Sequence, residues 1–347
     1  MLRRAGQPAS RSGVRTLVKR RLLCSSRDMA AGDDITVCAI VKDERPYLIE
    51  WVAYYRLLGF DRILLYSNDC SDGTDRLLDA MEQAGLVEHR RWPSQPGKIP
   101  QNSAYEDAVR RCATRWILFV DADEFLRLID DRDVHQFLAR FPDDVSAVAI
   151  SWRVFGPGGL ERFEPAPVIE RFMRAAPRDH PSNRHVKSMA VAAHIVAPGP
   201  HGVVLSQGRY VAPNGKDIVL EDNARLRPPR YRVAQINHYV VKSRAEFEGK
   251  RRRGNVAVPP DEMSEAKLRD EAFFERHRDH DEEFTEILVH LPAVKAEMAR
   301  ISRLVLALDP GLRPSWRADH RRGLVRYRLR RASIWLRRRA GRLRPQG

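Results

Sequence analysis

Apolar and polar positions alternate along this chain in blocks whose period switches between strand and helix. Ile35–Lys42 (ITVCAIVK) is an apolar β-type run, and Asp43-Glu44-Arg45 leads from it into Pro46, a favoured first helical residue. Leu48, Trp51, Val52, Tyr55 and Leu58 then share one helical face, and Gly59 closes the helix. Arg62–Tyr66 predicts a second strand. The polar loop Ser67–Thr74 opens a second helix carrying Leu77, Leu78 and Met81 and closed by Gly85. A third strand is expected at Leu86–Arg90, a third helix at Ser103–Cys112, a strand at Trp116–Val120, a helix at Val134–Phe141 and a strand at Val145–Trp152. Strands and helices in strict alternation mean βαβ units, so the pattern predicts an α/β fold of Rossmann-like type: a mostly parallel sheet flanked by helices.

The pattern changes after Gly156-Pro157-Gly158-Gly159. Short β-like pieces follow at Met189–Val196, Gly202–Leu205, Ile218–Leu220 and Val233–Tyr239, separated by Pro and Gly. From Ser243 the chain reads as charged helices over 243–252, 261–277, 281–290 and 293–308. Val325, Leu329, Ala332, Leu336, Ala340 and Leu343 then repeat at helical spacing among arginines, as in interfacial amphipathic helices, although Gly323 and Gly341 weaken that helix. A helix packed back on the body, or a disordered basic tail, fits this stripe as well. The expected organisation is a disordered basic extension (1–32), an α/β domain (33–255), a helical region (256–310) and a basic amphipathic tail (311–347).

Charge changes the picture because of where it lies. The 347 residues carry a formal +15, of which residues 1–27 contribute +8 and residues 311–347 contribute +12, leaving 28–310 at −5. A nucleic-acid-binding domain would carry its positive charge on the folded body. Basic ends on a mildly acidic body suit an anionic membrane surface or a flexible tether instead, so no nucleic-acid partner is expected. Cys24, Cys38, Cys70 and Cys112 are scattered without a paired spacing, which points to a reducing compartment and against a disulfide framework. No apolar run approaches the ~18 residues of a membrane span. The Arg- and Ser-rich start superficially resembles a transit peptide, but Met29, just before the first strand, is the plainer initiation site.

The chemistry concentrates at Trp116–Phe125 (WILFVDADEF), where five large apolar residues run directly into Asp121, Asp123 and Glu124. Five such residues suit a fully buried parallel strand, and ligands in open α/β sheets sit beyond the carboxyl ends of the strands. On an extended chain Asp121 and Asp123 share one side. Two hard oxygen ligands facing one way suit Mn²⁺ or Mg²⁺ with a substrate phosphate. The plain alternative is a solvated acidic turn.

An ordered set of motifs then adds a resemblance. Val41-Lys42-Asp43-Glu44, Glu50-Trp51 with Tyr54-Tyr55 and Leu58-Gly59-Phe60, Tyr66–Thr74, and Trp116 with Asp121-Ala122-Asp123-Glu124-Phe125 together resemble a glycosyltransferase family 2-like protein, in the branch related to family 92. Ile236–Ser243, Glu246-Phe247, Lys250 and Arg253-Gly254 extend the resemblance, which covers about residues 35–255. It implies the nucleotide-sugar-binding GT-A fold, with a nucleotide diphosphate sugar lying across the carboxyl edge of the sheet.

The resemblance also implies roles. Asp123 would ligate the metal directly, Asp121 would touch the metal, its water or the ribose, and His238 would be a third ligand. Without the resemblance, a lone histidine ending an apolar strand is more often structural. Lys250 and Arg253, three apart on one helical face, would clamp the diphosphate. Val41 and Asp43 are expected to bind substrate, and the Ser67–Thr74 loop with Asn68 matches where the family holds the nucleobase and ribose, although Ser67-Asn68 replaces the family's acidic pair and leaves the nucleotide open. Glu124 would face the acceptor, and Lys187 and His201 match positions near the donor phosphates or acceptor. The spacing of His185, Lys187, His194 and His201 does not suit zinc. Asp222 or His201 would be the base that takes the acceptor proton.

The reading is a metal-dependent, inverting glycosyltransferase acting on a glycan or lipid-linked envelope acceptor, cytoplasmic and held at the inner membrane face by its basic tail. One rival is a nucleotidyl- or phosphotransferase on the same fold. The other is a non-catalytic nucleotide- or membrane-surface-binding protein.

Overall fold

The computed structural model describes residues 34–312 except 223, 265–267 and 279. The readings of an N-terminal extension and an amphipathic tail beyond residue 312 lie outside the described residues. The chain begins as the periodicity predicts: β1 (Ile35–Val41), α1 (Arg45–Leu57), β2 (Arg62–Ser67), α2 (Thr74–Gln83), β3 (Glu88–Arg91), α3 (Pro100–Arg111) and β4 (Trp116–Phe119). β1 is buried along its whole length, and it pairs parallel with both β2 and β4. Runs with no polar face can only be central strands covered on both sides, which is what an unbroken apolar segment requires.

The second half was less legible. β5 (Glu124–Leu128), α4 (Val134–Leu138), β6 (Val145–Val154), α5 (Val168–Arg171), β7 (Arg174–Ala175), β8 (Val186–Val191), β9 (Ile195–Pro198), β10 (Val203–Leu205), β11 (Arg209–Val211) and β12 (Ala234–His238) follow. The order across the main sheet is β3-β2-β1-β4-β8-β6-β12-β5, with β11 beside β6. β8 runs antiparallel to both β4 and β6, and β12 runs parallel to β6 but antiparallel to β5. Parallel pairs still predominate, so the α/β, mostly parallel class holds.

Several sequence expectations need correction. The acid cluster does not end a strand into solvent; it is a turn that re-enters the sheet at once as β5. The single piece expected at Met189–Val196 is two strands split by a 3₁₀ turn at Ala192–His194. Ile218–Leu220 forms no strand and leaves Val219 exposed. The helix expected over 261–277 begins only at Glu271, and 281–290 holds a short strand (β13, Glu282–Glu283) and a 3₁₀ turn.

α6 (Arg244–Arg253) has the capping signature that fixes a helix start: Ser243 Oγ accepts from the Glu246 backbone while Glu246 reaches back to the Ser243 N–H. Gly254 stops it at φ +86°, a left-handed conformation that glycine adopts without a Cβ penalty. α7 (Glu271–Arg278) and α8 (Leu291–Leu308) complete the described chain. Val294, Ile301 and Val305 of α8 sit in the same core as Trp51 and Leu78, so the C-terminal helix is part of the sheet's cover.

Candidate active site

The acidic turn is built by three side chains of α1. Trp51 Nε1 donates to the Asp121 carbonyl at 3.1 Å, Tyr55 Oη to the Glu124 carbonyl at 3.2 Å and Tyr54 Oη to the Leu126 carbonyl at 2.7 Å. These are fully buried aromatics whose polar ends find backbone acceptors, which explains why the motif needs Trp and Tyr at those positions. The turn closes with the Glu124 N–H on the Asp121 carbonyl at 3.0 Å. The two aspartates therefore meet in one cleft through a turn, and not through strand alternation.

Register brings the histidine. In the antiparallel pair β5·β12, His238 stands opposite Glu124, and the Tyr239 N–H donates to the Asp123 carbonyl at 2.9 Å. His238 Nε2 then lies 3.6 Å from Asp123 Oδ1, with the Trp152 ring centred 4.2 Å away and tilted by 59° to the imidazole. α6 supplies cations from the other side: Lys250 is ion-paired with Asp123, and Arg253 is ion-paired with Glu44 and donates to the Asp43 carbonyl at 2.8 Å. Asp121, Asp123, His201, His238, Lys250 and Arg253 all line this one cleft.

Beneath the cleft sits a buried charge cluster. Lys187 has no exposed surface and lies 3.0 Å from Asp121 Oδ2 and 3.1 Å from Glu124 Oε2. Burial pushes Asp121 up, but Lys187 more than offsets it and holds that carboxyl below the usual range. Burial likewise opposes ionisation of Asp123, and Lys250 and His238 more than compensate. Glu124 goes the other way: burial, helped by Asp121 and Asp123 against Lys187, pushes it up to about 8. Three carboxylates face two lysines, and Glu124 is the one that keeps its proton at neutral pH. Burial also brings His238 down to about 4, so its imidazole is neutral.

Other expected site residues are placed differently. Glu124 does not face an acceptor, because it is wholly buried against Lys187 and the Asp121 N–H. Lys187 lies under the carboxylates and does not line the cleft where phosphates would sit. Asn68 is buried and spends its amide on the Trp92 carbonyl at 2.9 Å and Ser94 Oγ at 3.0 Å. Val41 is buried, with its carbonyl on the Asn68 N–H. Asp43 turns its carboxylate onto the Ser71 and Asp72 N–H groups at 2.6 and 3.1 Å. Asp222 is exposed in a turn outside the cleft lining. Gln101, Trp152 and Arg269 line the cleft unannounced. Gln101, whose Nε2 donates to Asp121 Oδ1 at 2.9 Å, carries no sequence signal that separates it from any polar helix start.

The donors suit a hard divalent ion: two ionised carboxylates and a neutral imidazole line one cleft. Among the described residues, no three His, Cys, Asp or Glu side chains converge closely enough to hold an ion as they stand. The Lys250 ammonium is the cation paired with Asp123, so an ion held there would have to displace it.

The family model described as glycosyltransferase family 92 matches residues 33–211, just over half of the chain. The chain belongs to glycosyltransferase family 92. Among its curated relatives, a family 92 protein of Ricinus communis is 25% identical over 138 residues, covering 37% of this chain and 24% of its own length. A family 92 protein of Oryza sativa subsp. japonica is 25% identical over 157 residues, covering 42% of this chain and 26% of its own. This family 92 chain thus spans about a quarter of the length of these relatives. A solved structure of TarS (residues 1–349, in complex with UDP) from S. aureus aligns over 46% of this chain and 47% of that one, with 12% identity and a TM-score of 0.31. Glucosyl-3-phosphoglycerate synthase from Mycobacterium tuberculosis aligns over 48% and 59%, with 14% identity and a TM-score of 0.28.

Proposed function

We propose that this family 92 chain is a metal-dependent, inverting glycosyltransferase that moves a sugar from a nucleotide diphosphate donor to an acceptor hydroxyl. The observation that carries the reading is the convergence of Asp121, Asp123, a neutral His238, Lys250 and Arg253 on one cleft at the carboxyl ends of β1 and β4. Family membership supports the same chemistry.

In the reaction the bond between the anomeric carbon and the phosphate oxygen breaks, and the acceptor oxygen bonds to that carbon from the opposite face. Nucleoside diphosphate leaves with the bonding pair, and the acceptor proton passes to a base. A divalent ion on Asp121, Asp123 and His238 would stabilise charge on the leaving diphosphate as a Lewis acid. Lys250 and Arg253 bind the same oxygens by charge-assisted hydrogen bonds, and Lys250 exchanges Asp123 for the diphosphate as it does so. Trp152 and Phe247 keep one wall of the cleft apolar.

We assign the proton to His201, the candidate that lines the cleft. Burial, with Lys187 and His185, presses its imidazole down to about 3, and the negative charge of a bound diphosphate acts in the opposite direction. The test is release of nucleoside diphosphate from a panel of nucleotide sugars with Mn²⁺ or Mg²⁺. His201→Ala is expected to lower kcat about 100-fold with nucleotide affinity unchanged. Metal-dependent release at the wild-type rate in that variant sinks the assignment. Release of pyrophosphate instead would mark a nucleotidyltransferase.

The acceptor we propose is an envelope glycan or lipid-linked glycan at the cytoplasmic membrane face, where the thirteen arginines of residues 311–347 meet anionic headgroups. The full chain is expected to pellet with anionic vesicles and to lose most of that binding without residues 311–347. Equal pelleting of both removes the tail from the account.

A further inference from the structure

A second hollow, of about 450 Å³, adjoins the donor cleft across a shared wall of Glu44, Lys250 and Arg253. Its acids are already engaged. Asp43 caps the Ser71 and Asp72 N–H groups, and Asp72 accepts from the Arg45 and Thr74 N–H groups. Glu44 is paired with Arg253, and Glu246 takes both terminal nitrogens of Arg171 at 2.8 Å.

Its cations are not all engaged. Lys242 is only 4% exposed, yet its ammonium has no carboxylate or carbonyl partner among the described residues. The contact it makes is with the face of the Tyr47 ring, 4.2 Å from Nζ to the centroid. Glu50, Asp123 and Glu246 act on this ammonium through space, but an ammonium resting on a ring face keeps its hydrogen-bond donors for an anion. The chain also accepts strain to place it, since Lys242 has φ +56°, a left-handed conformation unfavourable for a side chain with a Cβ. Arg252 lines the same hollow, exposed and without an ion pair among the described residues.

The geometry points to a second anion site, in which Lys242 and Arg252 hold a phosphate-ester group carried by the acceptor. An ammonium point charge and a guanidinium fork suit a tetrahedral oxyanion with several acceptor oxygens. The inference rests on the glycosyl-transfer reading, in which the donor diphosphate accounts for the cleft face of Lys250 and Arg253. The reaction has one other substrate, and an anion on the far side of that wall belongs to it.

The experiment is calorimetric titration of the full chain with glycerol 3-phosphate, a hexose 6-phosphate, inorganic phosphate and the neutral parents glycerol and hexose. Each titration is run with and without saturating nucleoside diphosphate and Mn²⁺. The esters are expected to bind at least about tenfold tighter than their neutral parents and to remain bound with the nucleotide present. Lys242→Met is expected to weaken the esters about tenfold, and Arg252→Ala, at an exposed position, by less, both with nucleotide affinity within about twofold of wild type. Ester binding unchanged in both variants overturns the site. Displacement of esters by nucleotide assigns Lys242 to the donor and also overturns it. Inorganic phosphate binding as tightly as the esters overturns the acceptor assignment in favour of a free anion. Absence of nucleotide binding would count against the donor cleft alone, because the ester comparison between wild type and Lys242→Met stands without it.

Discussion

Asp123→Ala is expected to abolish metal-dependent release of nucleoside diphosphate, lowering the rate at least ~1000-fold, about 4 kcal/mol of transition-state stabilisation. Two losses combine. The carboxylate is the proposed metal ligand nearest His238, 3.6 Å from its Nε2, and it is the partner that holds Lys250 in the cleft. Without it, an ion keeps only Asp121 and His238, and the Lys250 ammonium has no resting place before the donor arrives. The backbone of the turn is held independently by Trp51, Tyr54, Tyr55 and the Tyr239 N–H, so the variant is expected to fold. The measurement is product release over a Mn²⁺ series, with a melting curve as control. A variant that folds and keeps Mn²⁺-dependent turnover excludes Asp123 as a ligand.

Lys187→Met should damage stability before it damages chemistry. Methionine fills the space, but Asp121 and Glu124 are left buried without their cation, and breaking a buried pair in this way costs about 3–5 kcal/mol. For a domain of this size that is a fall in Tm of roughly 6–20 °C. The pH dependence has a definite sign. Removing Lys187 takes away the charge that opposes the upward push on Glu124, so the folded variant binds a proton to higher pH than wild type does. Where the folded state binds more protons than the unfolded one, stability rises as pH falls. With Glu124 at about 8 in the wild type, the difference in Tm between wild type and variant should therefore narrow from about pH 9 to pH 7. A difference that is small, or that widens toward acid, would mean Lys187 is not the counter-ion of this cluster.

What could be read in the sequence follows the range of the interactions involved. The unbroken run Trp116–Val120 announced a central strand because burial on both faces is a local property of the residues. β5 was invisible because Glu124–Leu128 gains its strand character from β12, more than a hundred residues away in sequence. Sequence distance also hid the partners of Lys187: the residue was expected near the donor phosphates or acceptor, but its carboxylates lie over sixty residues upstream. Residues 261–264 carry charge but no buried side chain, and beyond the 3₁₀ turn at Pro260–Glu262 a stretch without a packed face did not make an α-helix. Asn68 was read by position in a motif, whereas its amide had a nearer use, pinning Trp92 and Ser94. The grouping of Asp121, Asp123 and His238 was read through the motif resemblance, whereas the turn and the β5·β12 ladder that bring them to one cleft were not visible in the residues themselves.

The cleft described above is lined by five cations, Lys42, Lys250, Arg251, Arg253 and Arg269, against three acids, Glu44, Asp121 and Asp123. The body around it, residues 28–310, carries −5 overall. For the proposed nucleotide diphosphate donor, this cleft would offer an excess of positive charge set in a mildly acidic body. Such an arrangement raises the encounter rate and acts at distances beyond direct contact, until added salt shortens its reach to the ~8 Å Debye length of physiological ionic strength. Under the proposed function the arginines and lysines of the mouth would act twice: first as a long-range guide for the donor, and then as the groups that bind its phosphates.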